Sequence, residues 1–273
     1  MSNYVIEIKT NKDLGSESFV RHLITEWRTN LDERLRPEFF DLGEPVRRSF
    51  ASEGVEAAIE TWVAEGMSLY LRRRSKPKSL IAIEWFRREK GLDPRLFPWA
   101  VGVVLNRSAG DDLALEQLRF LIHWFEPAFG SITREDDERE KHFLTFQDIG
   151  GETEMYIGQD ILEKEQTLPG LYWVTYFGPW AVEKIGKERF AGLKAERVES
   201  IAGGYLVRAY NSSSEIGSRH AREVETQLIN RLGKPHFFDK ASVDIEALKT
   251  TPEEAAVVEE KIRELKAEKS RAN

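Results

Sequence analysis

MSLYLRR (67–73), SLIAIEWFR (79–87) and FPWAVGVVLN (97–106) are three apolar-rich runs of strand length that follow one another with little between them. Lys76-Pro77 separates the first two, Gly91-Leu92-Asp93-Pro94 the second and third, and Ser108-Ala109-Gly110 closes the group. Pro and Gly clusters punctuate strands, and consecutive strands on short connections predict an antiparallel meander.

Working toward the N-terminus, Val55–Ala64 is predicted as a helix, opened near Ser52 and closed by Gly66. Before it, Pro37 and Gly43-Glu44-Pro45 break a helix running from Ser16 or Ser18 to about Arg34. Its Phe19, Leu23, Ile24, Trp27 and Leu31 recur at helical spacing. Tyr4–Thr10 is predicted as a first strand. Working toward the C-terminus, Asp111 or Asp112 is placed to cap a helix that carries Leu113, Leu118, Leu121, Ile122 and Phe125 against the meander and ends near Pro127. Residues 134–140, Arg-Glu-Asp-Asp-Glu-Arg-Glu, read as a charged loop or exposed turn.

The second half has its own rhythm. Leu171–Phe177 is a strand, and Gly178-Pro179 opens a helix through Phe190, Pro fitting the first helical turn. Arg197–Ala202 and Gly204–Asn211 form a hairpin about Gly203-Gly204. Ser218–Leu232 is a helix with Ala221, Val224, Leu228 and Leu232 on one face, and Pro235–Asp239 is a last short strand. That order, βαββαβ, is the split βαβ pattern of ferredoxin-like folds. Thr251-Pro252-Glu253-Glu254 then forms a capping box, and Ala255, Val258, Ile262 and Leu265 make a narrow apolar stripe. Such a stripe packs on its own domain or on a partner, a homodimer included.

The predicted fold class is therefore α+β: antiparallel sheets with helices packed on one face, a ferredoxin-like C-terminal half and a C-terminal helix. The halves are 1–145 and 146–245, with a tail at 246–273, or else a single intimately packed domain. With 273 residues, seven Trp and 15 Phe, the chain has ample apolar bulk for a core.

The chain has no cysteine, which removes disulfides, thiolate metal ligands and a Cys nucleophile together. Met1-Ser2-Asn3-Tyr4 lacks the basic and apolar regions of a secretory signal, and no run approaches the roughly 18–20 apolar residues of a membrane span. The expectation is a cytoplasmic protein with no membrane partner. Net charge is −7 but unevenly spread. Residues 70–107 carry ten Arg/Lys against three acids, a local balance of +7, and 111–165 carry five against fifteen, a balance of −10. The acidic half reads either as solvated faces or as a docking surface for a basic partner.

Motifs for catalysis are wanting. His22, His123, His142, His220 and His236 include no pair at metal-ligand spacing, and neither a Gly-x-Ser-x-Gly elbow nor a phosphate-cradling glycine loop occurs. Glu7-Ile8-Lys9 matches part of a restriction-nuclease constellation, but none of the six preceding residues is acidic, so Mg²⁺ would lack its second ligand. Glu7 and Lys9 are simplest as a solvent-facing pair at period two. Arg72-Arg73-Arg74-Ser75-Lys76-Pro77-Lys78, followed by Trp85, Phe86, Arg87 and Arg88, mixes basic and aromatic residues as single-strand binders do. The plainer reading is a basic hairpin tip and a solvated strand face, with no nucleic acid bound.

The segment Leu168-Pro-Gly-Leu-Tyr-Trp-Val-Thr-Tyr-Phe-Gly-Pro179, followed by Ile185-Gly186, is dense in Gly, Pro and aromatics. As scaffold, Tyr172, Trp173, Tyr176 and Phe177 would fill the groove between sheet and helices, with Gly178 letting backbone pass close. The segment resembles the immunity protein 52 family of bacterial polymorphic toxin systems, and the Gly203-Gly204-Tyr205 turn is similar in spirit; the likeness covers about 165–210. It implies a protein, allied to type VI secretion immunity proteins, that binds a cognate toxin, often a nuclease domain, and occludes its active site without catalysis or cofactor. Charge alone nominates the toxin-binding residues: Asp136, Asp137, Glu138, Glu140, Glu152 and Glu154, with Trp180 as an aromatic anchor. The competing readings are a non-catalytic structural or adaptor module of a phage or secretion assembly, and a small-molecule enzyme without a recognisable motif.

Overall fold

The computed structural model describes residues 2–12, 14, 16–65, 68–84, 99–148, 151–158 and 167–249. Strand β1 (Tyr4–Thr10) alternates buried and half-buried residues along its length, as a strand with one well-covered face must. Helix α1 (Glu17–Thr29) buries Val20, Leu23, Ile24 and Trp27; it stops short of Arg34, and Leu31 reaches the core from the following turn. Two short strands, β2 (Phe39–Asp41) and β3 (Arg48–Ser49), precede α2 (Phe50–Glu65), which is broken at Gly54, where φ is +82°. The meander follows as β4 (Ser68–Arg73), β5 (Ser79–Glu84) and β6 (Trp99–Leu105), antiparallel throughout. Helix α3 (Gly110–Phe125) then leads into β7 (Phe129–Arg134), a strand that the sequence reading did not anticipate.

Residues 134–140 are not a loop. They enter α4 (Glu135–His142), whose first turn holds Glu135, Asp136, Asp137 and Glu138 and whose last turn holds Arg139, Lys141 and His142. That distribution opposes the helix dipole at both ends and stabilises a helix that has almost no apolar face. A separate two-stranded hairpin follows, β8 (Phe143–Asp148) with β9 (Gly151–Tyr156). The second half contains β10 (Val174–Phe177), α5 (Pro179–Ile185), β11 (Arg197–Ile201), β12 (Gly204–Arg208) and α6 (Arg219–Leu232).

Ten strands form one sheet in the order β11-β12-β10-β7-β1-β6-β5-β4-β2-β3. Two split βαβ units lie side by side in it. In the first, β7-β1-β6-β5 are its fourth, first, third and second strands. In the second, β10, β12 and β11 take the first, third and second places. The predicted closing strand at 235–239 does not form: Lys234–His236 is a single 3-10 turn, and Phe237 makes one parallel bridge to Leu168. The place beside β10 is already filled by β7, which pairs antiparallel with both β1 and β10.

The helices do not share one face, and the topology says why. Strands β1 and β10, both antiparallel to β7, run parallel to each other, but their units extend in opposite directions from it. Right-handed crossovers then place the two sets of helices on opposite faces. Accordingly, Tyr4 and Thr10 on one face meet Asp111 and the Phe125 carbonyl of α3. Thr133 and Phe177, on the other, meet Asp137 of α4 and Phe190 beyond α5.

The aromatic segment is scaffold as expected: Tyr172, Trp173, Tyr176 and Phe177 are each at most 2% exposed. The tail 251–270, predicted as a helix with a narrow apolar stripe, and the aromatic and basic residues 85–98 lie outside the described residues.

Candidate functional site

The nominated acidic residues divide between α4 and the β8–β9 hairpin beside it. Tyr156 Oη donates to Glu138 (2.7 Å), and Arg139 pairs with Glu154 (2.5 Å), so β9 is held to the helix by its own charges. Glu152 is exposed on the same strand. Asp136, 58% exposed, accepts from Arg134 (3.1 Å) and from Ser2 Oγ (2.8 Å), which with burial against it leaves its carboxyl below the usual range. Glu140 is exposed and paired with Arg222 of α6. Trp180 stands apart on α5, half-buried against the core, with the Lys184 ammonium 5.2 Å from its ring centroid.

Asp137 departs from the expected surface role. Its side chain is 1% exposed and accepts from Thr133 Oγ1 (2.6 Å) and Lys141 Nζ (2.9 Å), with Arg222 Nη1 at 3.2 Å. Lys141 also reaches Glu225 (2.9 Å) and the Leu171 carbonyl (3.0 Å) and lies over the Tyr172 ring. Two buried acids thus meet Lys141 and the half-buried Arg222 between α4, α6 and the turn before β10, where either carboxylate alone would be costly. Burial raises the carboxyl of Glu225, and Lys141 works against that rise. Tyr210 Oη donates to Glu225 (3.1 Å), completing the cluster.

Glu225, Lys141 and Arg222 escaped the sequence reading, although a signal existed. Glu225 lies four residues after Ala221 and three before Leu228, on the face that α6 buries. Lys141 stands four residues after Asp137, the spacing of a helical ion pair. The first was legible from the pattern of α6; the second becomes so once 135–142 is read as helix.

His142 ends α4 inside the same junction. Nδ1 is 2.9 Å from the Ile157 carbonyl and Nε2 2.5 Å from Tyr172 Oη. With Nδ1–H donating to the carbonyl, Nε2 accepts the tyrosine proton and the ring is neutral. Burial is the main reason that its pKa falls below the ordinary 6.5. The unfolded chain therefore takes up a proton that the folded one refuses, and stability falls as pH drops below about 6.5. A His142→Asn protein should lose that dependence: its Tm difference between pH 7.5 and pH 5.5 should be smaller than the wild type's. An unchanged difference would place the titration elsewhere.

Glu7 and Lys9 pair at 2.6 Å but are only 19% and 12% exposed, so they face a partly covered side of the sheet rather than open solvent. Among the described residues, no three His, Asp or Glu side chains cluster so as to hold a metal, and no helix is long and apolar enough to cross a membrane.

No protein-family model and no curated protein matches the chain. Among solved structures, it is similar to the Pseudomonas aeruginosa T6SS protein PA0821, with a TM-score of 0.54 and 12% identity over 86% of this chain and 73% of that one. At that identity the likeness is one of fold. The resemblance to the immunity family rests on residues 165–210.

Proposed function

We propose that this protein belongs to a type VI secretion context and acts there by binding, as an immunity protein that neutralises a cognate toxin of nuclease type without catalysing a reaction. The observation that carries this reading is a fold shared, over most of its length, with a T6SS protein. The aromatic segment that suggested an immunity family supports it by its position: residues 171–178 carry β10, on which the second unit and its junction with the first are built.

The exposed acids Asp136, Glu140, Glu152 and Glu154 form the ledge offered to a basic toxin surface, with complementary charge speeding encounter. Asp137 is withdrawn from that set, because it is consumed by the internal network. Co-expression with the toxin encoded beside it tests the proposal. Survival of cells and a co-purifying one-to-one complex are the expected results. Toxin killing that this protein leaves unchanged, with no complex, would reject it in favour of an adaptor in a secretion assembly.

A further inference from the structure

Beside the turn joining β4 to β5 lies a cleft of about 380 Å³, lined by Arg72, Arg74, Lys78, Leu80, Val104 and Asn106 among others. Its cations are not all spoken for. Arg73 faces Glu38 at 3.4 Å, and Arg74 donates to the Val46 carbonyl and covers the Phe39 ring. The side chains of Arg72 and Lys78 have no hydrogen bond or ion pair among the described residues, and Glu44 is the one acid in the lining. Leu80 and Val104 add a half-buried apolar floor.

This cleft adjoins the acidic helix. Asn3, part of its lining, donates from its backbone N–H to Glu135 (3.1 Å) and accepts from Asn106 (3.4 Å), while Ser2 holds Asp136. Residues 2–3 are therefore a common border between a basic cleft and the N-terminus of α4.

We propose that the cleft docks an acidic segment of the partner polypeptide, its Asp or Glu carboxylates entering between Arg72 and Lys78 while a basic surface of the same partner lies on α4. This rests on the partner-binding reading above. A polyphosphate backbone is disfavoured as occupant by the net charge of −7 and by the acids bordering the cleft. A short acidic segment brings few charges, and its methylene stems match Leu80 and Val104. Carboxylates also suit guanidinium geometry.

The test is Arg72→Glu with Lys78→Glu in the full chain, assayed against the co-encoded toxin. Neither side chain makes a hydrogen bond or ion pair among the described residues, so Tm should stay within about 2 °C of the wild type's. The association rate should fall roughly tenfold or more and lose much of its salt dependence. Equal binding by wild type and variant would overturn the docking site while leaving the immunity reading intact. Should the wild type bind no toxin, that reading fails by itself, and a hexaglutamate titration followed by NMR decides the cleft. Shifts at the Arg72, Lys78 and Asn106 amides, absent in the variant, would sustain it. No shifts, or saturation by inorganic phosphate in preference to hexaglutamate, would reject it.

Discussion

Lys141→Met is expected to lower stability by about 3–5 kcal/mol, the cost of leaving buried acids without their base. Lys141 Nζ is bound to Asp137, Glu225 and the Leu171 carbonyl at 2.9–3.0 Å, and those acids are 1% and 6% exposed. Arg222 still neutralises Asp137 in the variant, and Glu225 can take up a proton. The loss should therefore lie toward the lower end of that range and depend on pH. The sign follows from Glu225. Its folded pKa is above the unfolded 4.5, so the native state binds the proton more tightly and loses stability as pH rises from there through the folded value. Removing the Lys141 charge raises that pKa further. Denaturant unfolding should thus show a larger deficit at pH 8 than at pH 5. Adding Glu225→Leu should recover part of it, since an apolar replacement leaves no acid to compensate. A deficit below about 1 kcal/mol at both pH values would mean that the network is solvated and contributes little.

The second large effect is steric and sits at the seam between the two units. Gly178 donates its N–H to the Ala128 carbonyl (3.0 Å), and a Cβ built on it would stand 2.1 Å from the Pro127 carbonyl oxygen and 2.9 Å from that of Ala128. Its φ of −68° suits any residue, so the requirement for glycine is close approach alone. Both obstacles are backbone atoms, which cannot swing aside as a side chain does. Gly178→Ala must push the end of β10 from the start of β7, the pairing through which the units share a sheet. A loss of about 3 kcal/mol is expected from overpacking at such a site, read as a fall in Tm. Gly43→Ala is the control, because nothing lies within 4 Å of its added Cβ; it should change stability by no more than about 0.5 kcal/mol. Equal Tm values for the two variants would show that the seam can open without cost.

These two sites differ in how far the sequence announced them. Gly178 sits in a segment whose density of glycine, proline and aromatics already marked tight packing, and close backbone approach was the expected reason for it. The ion network was hidden. Asp137 was counted as one surface acid among several, since charge in a sequence carries no sign of burial. Its partner Arg222 and the network's other acid, Glu225, lie more than eighty residues away, on a helix whose own pattern places Glu225 inward without saying what it meets.

The amino-acid sequence by itself determined the elements whose signals are local. Alternation set β1, apolar runs bounded by Pro and Gly set the meander, helical spacing set α1, α3 and α6, and Gly203 at φ +76° turned the β11–β12 hairpin where Gly-Gly predicted. It also made the aromatic run 172–177 core. Only the tertiary structure decided that β7 fills the place expected for residues 235–239, that the two helical sets lie on opposite faces, and which charges are spent internally. Local periodicity is written along the chain because each residue's neighbours in an element are its neighbours in sequence. Strand order and charge pairing join residues far apart, and they are settled by burial and crossover handedness acting on the whole sheet.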